Sequence, residues 1–344
     1  MKTKYLLFAL PLVALCACNK EGIETNENQN SVLTCTVDNT KVSLNADGSN
    51  YTFKWTGRTI TDEFLKVTEL LETGIHPTGA PHTASAERGD FTFNTWVFQN
   101  VKESEVSSTA SFECMPDQRP APDFTDGKTR FIAYPNHNSG NTILRIQVDG
   151  EGNALKYQAR MRLYNEQDVS NHAENVGNML ISAAYFPMYT LVGPGYDTPD
   201  AVHFTPLTAI VRLRVTNNTD TPILCSKVLL SSSVHTETQS LAGMALLEWA
   251  PGAQPQIPAT DWVAKRTESL PAEVILINRS NATKTIPAHG TKDFNIAIFG
   301  GHNYGTLTWK MLDDDENQIG SDITSNPGKV LESGKVYTKS ATIN

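Results

Sequence analysis

The 344-residue sequence lacks the signatures that mark most enzymes. There is no G-x-S-x-G elbow to present a serine, no H-E-x-x-H pair to hold zinc, no Walker loop for phosphate and no G-x-G-x-x-G turn for a dinucleotide. Cysteine is sparse. Beyond Cys16 and Cys18 in the amino-terminal apolar run, only Cys35, Cys114 and Cys225 occur. They are far apart and odd in number, so they offer neither a C-x-x-C site nor a disulfide framework. They read as small buried apolar residues, with one disulfide among them left open. A basic excess is also missing. Lys and Arg number 28 against 37 Asp and Glu, a formal net charge of -9, which argues against nucleic acid, whose binding depends on cations neutralising phosphates. After the amino terminus no run is long and apolar enough for a transmembrane helix, which needs about 20 residues.

The amino terminus itself is informative. Lys2 and Lys4 precede the apolar run Tyr5 to Ala17, which is too short to span a bilayer and has the layout of a cleavable signal peptide. The run ends in Leu15-Cys16-Ala17-Cys18, which resembles the lipobox of bacterial lipoproteins, where a small residue precedes the acylated cysteine. Ala17 meets that requirement for Cys18, whereas Cys16 would follow the bulky Leu15. Cleavage is therefore expected between Ala17 and Cys18, with Cys18 lipidated; losing Lys2 and Lys4 moves the net charge to -11. Two acyl chains make a stable anchor where one is marginal. Residues 18–31 read as a flexible tether, because Asn, Glu, Gln and Lys dominate and Ile23 is the single large apolar residue.

The rest of the chain carries period-two alternation punctuated by Gly, Pro, Asn and Asp. Asp90 to Phe98 puts Phe91, Phe93, Thr95 and Val97 on one face, and Lys128 to Tyr134 repeats the pattern over a shorter reach. In Ala209 to Val215, Val211, Leu213 and Val215 share a core face while Arg212 and Arg214 point to a wet one. Asp293 to Phe299, Thr306 to Leu312 and Lys335 to Ile343 complete the later strands. Thr61 to Leu71 reads either as a helix, with Phe64, Val67 and Leu71 at helical spacing, or as a strand. Short strands with turns between them suggest antiparallel sandwiches. Leu191 to Asp200 is the densest Gly and Pro turn, and divides an amino-terminal β domain at 32–200 from a carboxy-terminal one at 201–344.

Candidate chemistry is thin. His235 lies among hydroxyls in Ser231 to Thr236, but strand neighbours point to opposite faces, so the stretch reads as a polar turn or strand end. Asp313, Asp315 and Asn317 match the opening of a calcium loop. Gln318 then replaces the sharp-turn glycine and Thr324 the bidentate Glu, leaving a solvated hairpin turn. Four Asn-x-Ser/Thr sequons, at Asn50, Asn217, Asn278 and Asn281, read as ordinary exposed loops. No catalytic residue, cofactor or metal is called for.

Four segments resemble the fimbrillins, surface lipoproteins that build type V pili in Bacteroidetes-type bacteria. Leu33 to Gly57 is similar to the family's opening strand, basic residue and Phe-x-Trp turn. Arg130 to Pro135 (RFIAYP) is similar to its F-x-A-x-Y-P. His203 to Val215 followed by Ile223 to Gly243 resembles the start of its second domain, and Gly334 to Ile343 resembles its final G-K-x-Y-T strand. The resemblance implies an all-β fold of two transthyretin-like antiparallel sandwich domains in tandem. It also implies a non-enzymatic structural and adhesive fimbrial subunit at the outer membrane surface. Its partners would be other fimbrial subunits, in a homo- or heteropolymer, and a host or bacterial surface receptor.

Assembly in the family is by strand exchange: a surface protease removes the first strand, and the last strand of the next subunit fills the groove. The donor here would be Lys335, Val336, Tyr337, Thr338, Lys339, Ser340, Ala341, Thr342 and Ile343. Where the family carries a processing arginine just after the first strand, this chain has Lys41, and its first arginine is Arg58. Cutting after Lys41, cutting at Arg58, and no cutting at all, which would leave a lipidated basal anchor, all stay open. A glycan-binding surface lipoprotein of a nutrient-uptake system is the alternative. It requires an exposed aromatic platform from Trp96, Trp249, Trp262 or Trp309, of which Trp96 and Trp309 fall in strands and read as core.

Overall fold

The structure is a computed structural model that describes residues 32–37, 55, 64–71, 94–103, 107, 109–116, 120–134, 142–149, 151–168, 187–236, 239–256 and 273–344. Among these residues the chain is all-β, with one four-residue helix. The strands are β1 (Val32–Val37), β2 (Phe64–Glu69), β3 (Thr95–Asn100), β4 (Thr109–Cys114), β5 (Arg130–Tyr134), β6 (Thr142–Val148) and β7 (Ala154–Leu163). Then come β8 (Glu166–Asp168), β9 (Met188–Val192), β10 (Val202–Pro206), β11 (Thr208–Asn217), β12 (Ile223–Leu224), β13 (Lys227–Ser232) and β14 (Gly243–Trp249). After β15 (Glu273–Ile277), helix α1 (Asn281–Lys284) leads to β16 (Thr285–Ile286), β17 (Thr291–Phe299), β18 (Leu307–Leu312), β19 (Ile323–Ser325) and β20 (Val336–Ile343).

Seven strands close into a barrel in the order β1-β10-β9-β5-β2-β3-β4. Its interior is filled by Leu33, Cys35, Trp55, Phe98, Phe112, Tyr134 and Phe204, among others. Trp55 is fully buried and meets Phe112, Tyr134 and Phe204 edge-on at ring-centroid distances of 5.1, 5.2 and 6.0 Å, the geometry that aromatic quadrupoles favour.

A second, larger core lies among three further sheets, β17-β11-β20, β19-β18-β13-β15-β8 and β14-β7-β6. Every residue of β5 is buried because it is a wall shared by both cores. Ile132 and Tyr134 face the barrel interior, whereas Phe131 and Ala133 face the second core. There Phe131 stacks on Trp249 of β14 at 5.4 Å.

The ambiguous segment Thr61 to Leu71 contains strand β2. Leu65 and Val67 alternate inward between β3 and β5, and ladder pairing on both sides outweighs the helical spacing. In β3 the buried side is that of Phe98 and Asn100, while Thr95 on the other face is exposed; Phe91 and Phe93 lie outside the described residues. The turn at Leu191 to Asp200 connects β9 to β10, neighbours in the barrel.

Two expectations are corrected. The outward face of β11 is not wet at Arg212, which is fully buried with Nε donating to Asn295 Oδ1 at 3.1 Å and lying 3.6 Å from Asp293. The cause is Ile210, two residues earlier on the same face, which enters the barrel core beside Val336 and draws the start of this face out of solvent. Arg214, farther along, is half-exposed and pairs with both Asp293 oxygens at 2.8 and 3.0 Å. The sequons are not uniformly exposed either. Asn217 and Asn278 are buried, and the Asn217 amide donates to Thr221 O and Pro287 O while its oxygen accepts from the Thr219 N–H and hydroxyl.

Candidate functional site

The first and last described strands carry the candidate site, and each runs parallel to a neighbour. β1 lies between β10, parallel to it, and β4, antiparallel, so both of its edges are paired. Leu33 and Cys35 point into the barrel and are fully buried, whereas Val32 is exposed. The Thr34 N–H donates to Pro199 O at 2.8 Å, tying β1 to the β9–β10 turn. Burial, reinforced by the Asp197 carboxylate, pushes the Cys35 thiol well above its usual range, so this cysteine stays protonated and unreactive. Cys35, Cys114 and Cys225 are all free and buried.

β20 begins one residue after the expected start of the donor segment and, among the described residues, pairs only with β11, in register from Ile210↔Val336 to Asn217↔Ile343. Val336 is buried, while Tyr337, Thr338, Lys339, Ala341 and Ile343 are half-buried and Ser340 and Thr342 exposed. Tyr337, Ala341 and Ile343 rest on the second core from its margin.

The approach to β20 is latched. Leu331 is fully buried, its N–H donates to His302 O at 2.8 Å, and the Gly301 N–H donates to Leu331 O at 2.6 Å. Gly300 is required here: a Cβ would sit 2.3 Å from Ser333 Oγ and 2.4 Å from its backbone nitrogen. Beyond the latch, the Glu332 N–H donates to the Tyr337 hydroxyl at 2.8 Å, and Lys329 lies 5.1 Å from the centre of the Tyr337 ring. Burial lowers the His302 imidazole from 6.5 to about 4, so it is neutral in this corner.

The other candidates are structural. Asp313 Oδ1 accepts the N–H groups of Asp315 and Asn317 at 2.9 and 2.8 Å, and Oδ2 accepts from the Asn317 amide at 3.3 Å, so this carboxylate holds a turn together. Asp149 does the same with Glu151 and Asn153. His235 is exposed. Of the hydroxyls near it, Ser232 donates to backbone oxygens of Val234 and Tyr304, and Ser233 accepts from the Thr306 N–H. Trp249 and Trp309 are buried and Trp96 is half-buried, so no described tryptophan forms an exposed platform. Ala17, Cys18, Lys41, Arg58 and Trp262 lie outside the described residues.

Two features escaped sequence reasoning. Arg130, buried in β5, makes a bidentate pair with Asp126 at 2.9 and 2.7 Å and stacks on Phe124 at 5.1 Å, clamping the loop before β5. The Asp123-x-x-Asp126 turn just ahead of Arg130 is the sequence trace of that clamp. A surface cleft of about 700 Å³ lies over β13, β15 and β18, with Leu229, Ile275 and Leu312 on its floor. Most of its lining charges are matched: Lys227 pairs with Glu316, Asp314 with Lys284 at 2.6 Å and Arg279 with Asp168 at 2.6 Å.

No family model matches this chain, and no curated protein matches it in sequence. Among solved structures it is similar to a candidate cell adhesion protein of Bacteroides uniformis, at 9% identity and a TM-score of 0.40, covering 91% of this chain and 95% of that one. A candidate cell adhesion protein of Bacteroides ovatus is 14% identical, with a TM-score of 0.38 and coverage of 87% and 88%. The tip fimbrial protein Mfa3 of Porphyromonas gingivalis, truncated at its carboxy terminus, is 9% identical, with a TM-score of 0.29 and 79% of each chain covered.

Proposed function

We propose that this chain is a structural and adhesive subunit of a cell-surface fimbria, held at the outer membrane by lipid on Cys18 and assembled with other subunits by strand exchange. In this reading the chain comprises two transthyretin-like domains, 32–200 and 201–344, with sheets that cross the boundary: β10 closes the barrel, while β6, β7 and β8 pair with strands of the second core's sheets. The observation that carries it is the contrast between its terminal strands. β1 fills an apolar slot between β4 and β10, and its loss would leave two unpaired edges and the space of Leu33 and Cys35. Among the described residues β20 is held along one edge only, so a single ladder holds it to β11.

The fimbrillin resemblance of Leu33 to Gly57 and of Gly334 to Ile343 falls on these two strands and supports the same reading. Lys41 and Arg58 both follow β1, and cleavage at either would free it from the barrel strands that follow.

Mass spectrometry of surface-extracted protein tests the assembly mode. A mature chain beginning just after Lys41 or Arg58, in polymers that survive mild heating in detergent, is the expected result for a stalk subunit. A chain still starting at acylated Cys18 within such polymers identifies a basal anchor. Surface protein that is monomeric under every growth condition overturns the fimbrial reading.

A further inference from the structure

The β17-β11-β20 sheet treats its two edges differently. On β17 the ladder edge is capped by a side chain: Gln167 donates to Ala297 O at 2.7 Å and accepts the Ala297 N–H at 2.9 Å, imitating a neighbouring strand. On β20 no such cap exists among the described residues. The Ile210 N–H donates to Lys335 O and the Asn218 N–H to Ile343 O, so the odd-numbered residues turn their backbone groups toward β11. Val336, Thr338, Ser340 and Thr342 therefore present their N–H and C=O groups outward. Natural edges are blunted by proline, bulges or several charges; this one has no proline and a single charge, Lys339.

We infer that the open edge of β20 pairs with the same strand of a second copy, antiparallel about a two-fold axis at Ser340, joining two three-stranded sheets into one of six. The register follows from the sequence. Centred on Ser340, that residue faces its own copy, Thr338 faces Thr342, Lys339 faces Ala341, Tyr337 faces Ile343 and Val336 faces Asn344, so the strand is paired from end to end. The Tyr337–Ile343 pair is of the aromatic and β-branched kind that stabilises adjacent strands, and it covers two side chains that the second core leaves half-exposed. A register centred on Lys339 would set two ammonium groups directly opposite each other, and one centred on Thr338 would leave the end of the strand unpaired. A two-fold interface uses one patch twice and closes on itself. This inference concerns the subunit before any strand exchange, while β20 is still on β11.

The test uses the mature chain with Cys18→Ser, to keep lipid out of the measurement, in sedimentation velocity over a wide concentration range. The expected result is a concentration-dependent doubling of mass. Ser340→Pro removes an outward N–H without touching the β11 ladder and is expected to leave a folded monomer. Ser340→Lys opposes two like charges and should give a monomer at low salt, with no backbone change. Ser340→Cys should crosslink two copies under mild oxidation, since the other cysteines are buried, whereas Lys335→Cys should not. A wild-type chain that stays monomeric throughout, a dimer that survives both Ser340→Pro and Ser340→Lys, or a crosslink at Lys335→Cys and not at Ser340→Cys overturns the inference.

Discussion

The barrel and the β17-β11-β20 sheet solve one problem in opposite ways. The barrel closes on itself and hides both edges of its first strand, whose inward residues Leu33 and Cys35 are fully buried. Among the described residues the sheet leaves its last strand on one neighbour, with a single buried residue, Val336. A strand with ladders on both sides opens only with the whole barrel. One with a single ladder opens locally, at a fraction of the global free energy.

The comparison can be broken most forcefully at Trp55. Trp55→Ala removes the ring on which Phe112, Tyr134 and Phe204 converge, and should cost about 3–5 kcal/mol, read as a lower denaturant midpoint. A smaller test sets the two strands side by side. Leu33→Ala in β1 should cost about 2–5 kcal/mol and Ile343→Ala in β20 about 1 kcal/mol, since Ile343 is half-exposed. Equal losses in chemical denaturation would contradict the contrast.

Acid separates the regions further. The unfolded chain protonates His302 near its ordinary 6.5, while the folded chain resists until about 4. Stability tied to the latch should therefore fall as pH drops through that window and level off below it, losing at most about 3 kcal/mol. Hydrogen exchange should show β20 opening before the barrel, and His302→Gln should flatten the slope between those pH values.

A last test compares two turns of the same design. Gly152 and Glu316 occupy matching places with φ of 88° and 65°. Gly152→Ala should cost about 1–2 kcal/mol, and Glu316→Gly should raise the thermal midpoint by relieving the left-handed backbone.

Strands with one clean apolar face were legible in the sequence. β11, β17, β18 and β20 lie within a residue or two of the alternation that announces them. β5 was legible as a strand but not as a shared wall, because a short apolar run looks the same whether one face or two are covered. Arg212 misled for a related reason. Alternation identifies which residues share a face, but the cover on that face comes from the barrel, a contact distant in sequence. Nor could the parallel pairings β1–β10 and β11–β20 be read, since the sequence offers no alternating strand and helix units to announce them. Of the candidate site, the last strand was legible as a strand within one residue, whereas its latch at Gly300 to His302 was not, because it depends on a close approach to Ser333.

The wall formed by β5 has a mechanical consequence. A strand with one solvent face that slips by a residue exposes its apolar side to water. β5 would instead trade Phe131 and Ala133 for Ile132 and Tyr134 between two packed interiors, misfitting both at once. A slip in β5 is therefore expected to disturb the two interiors together.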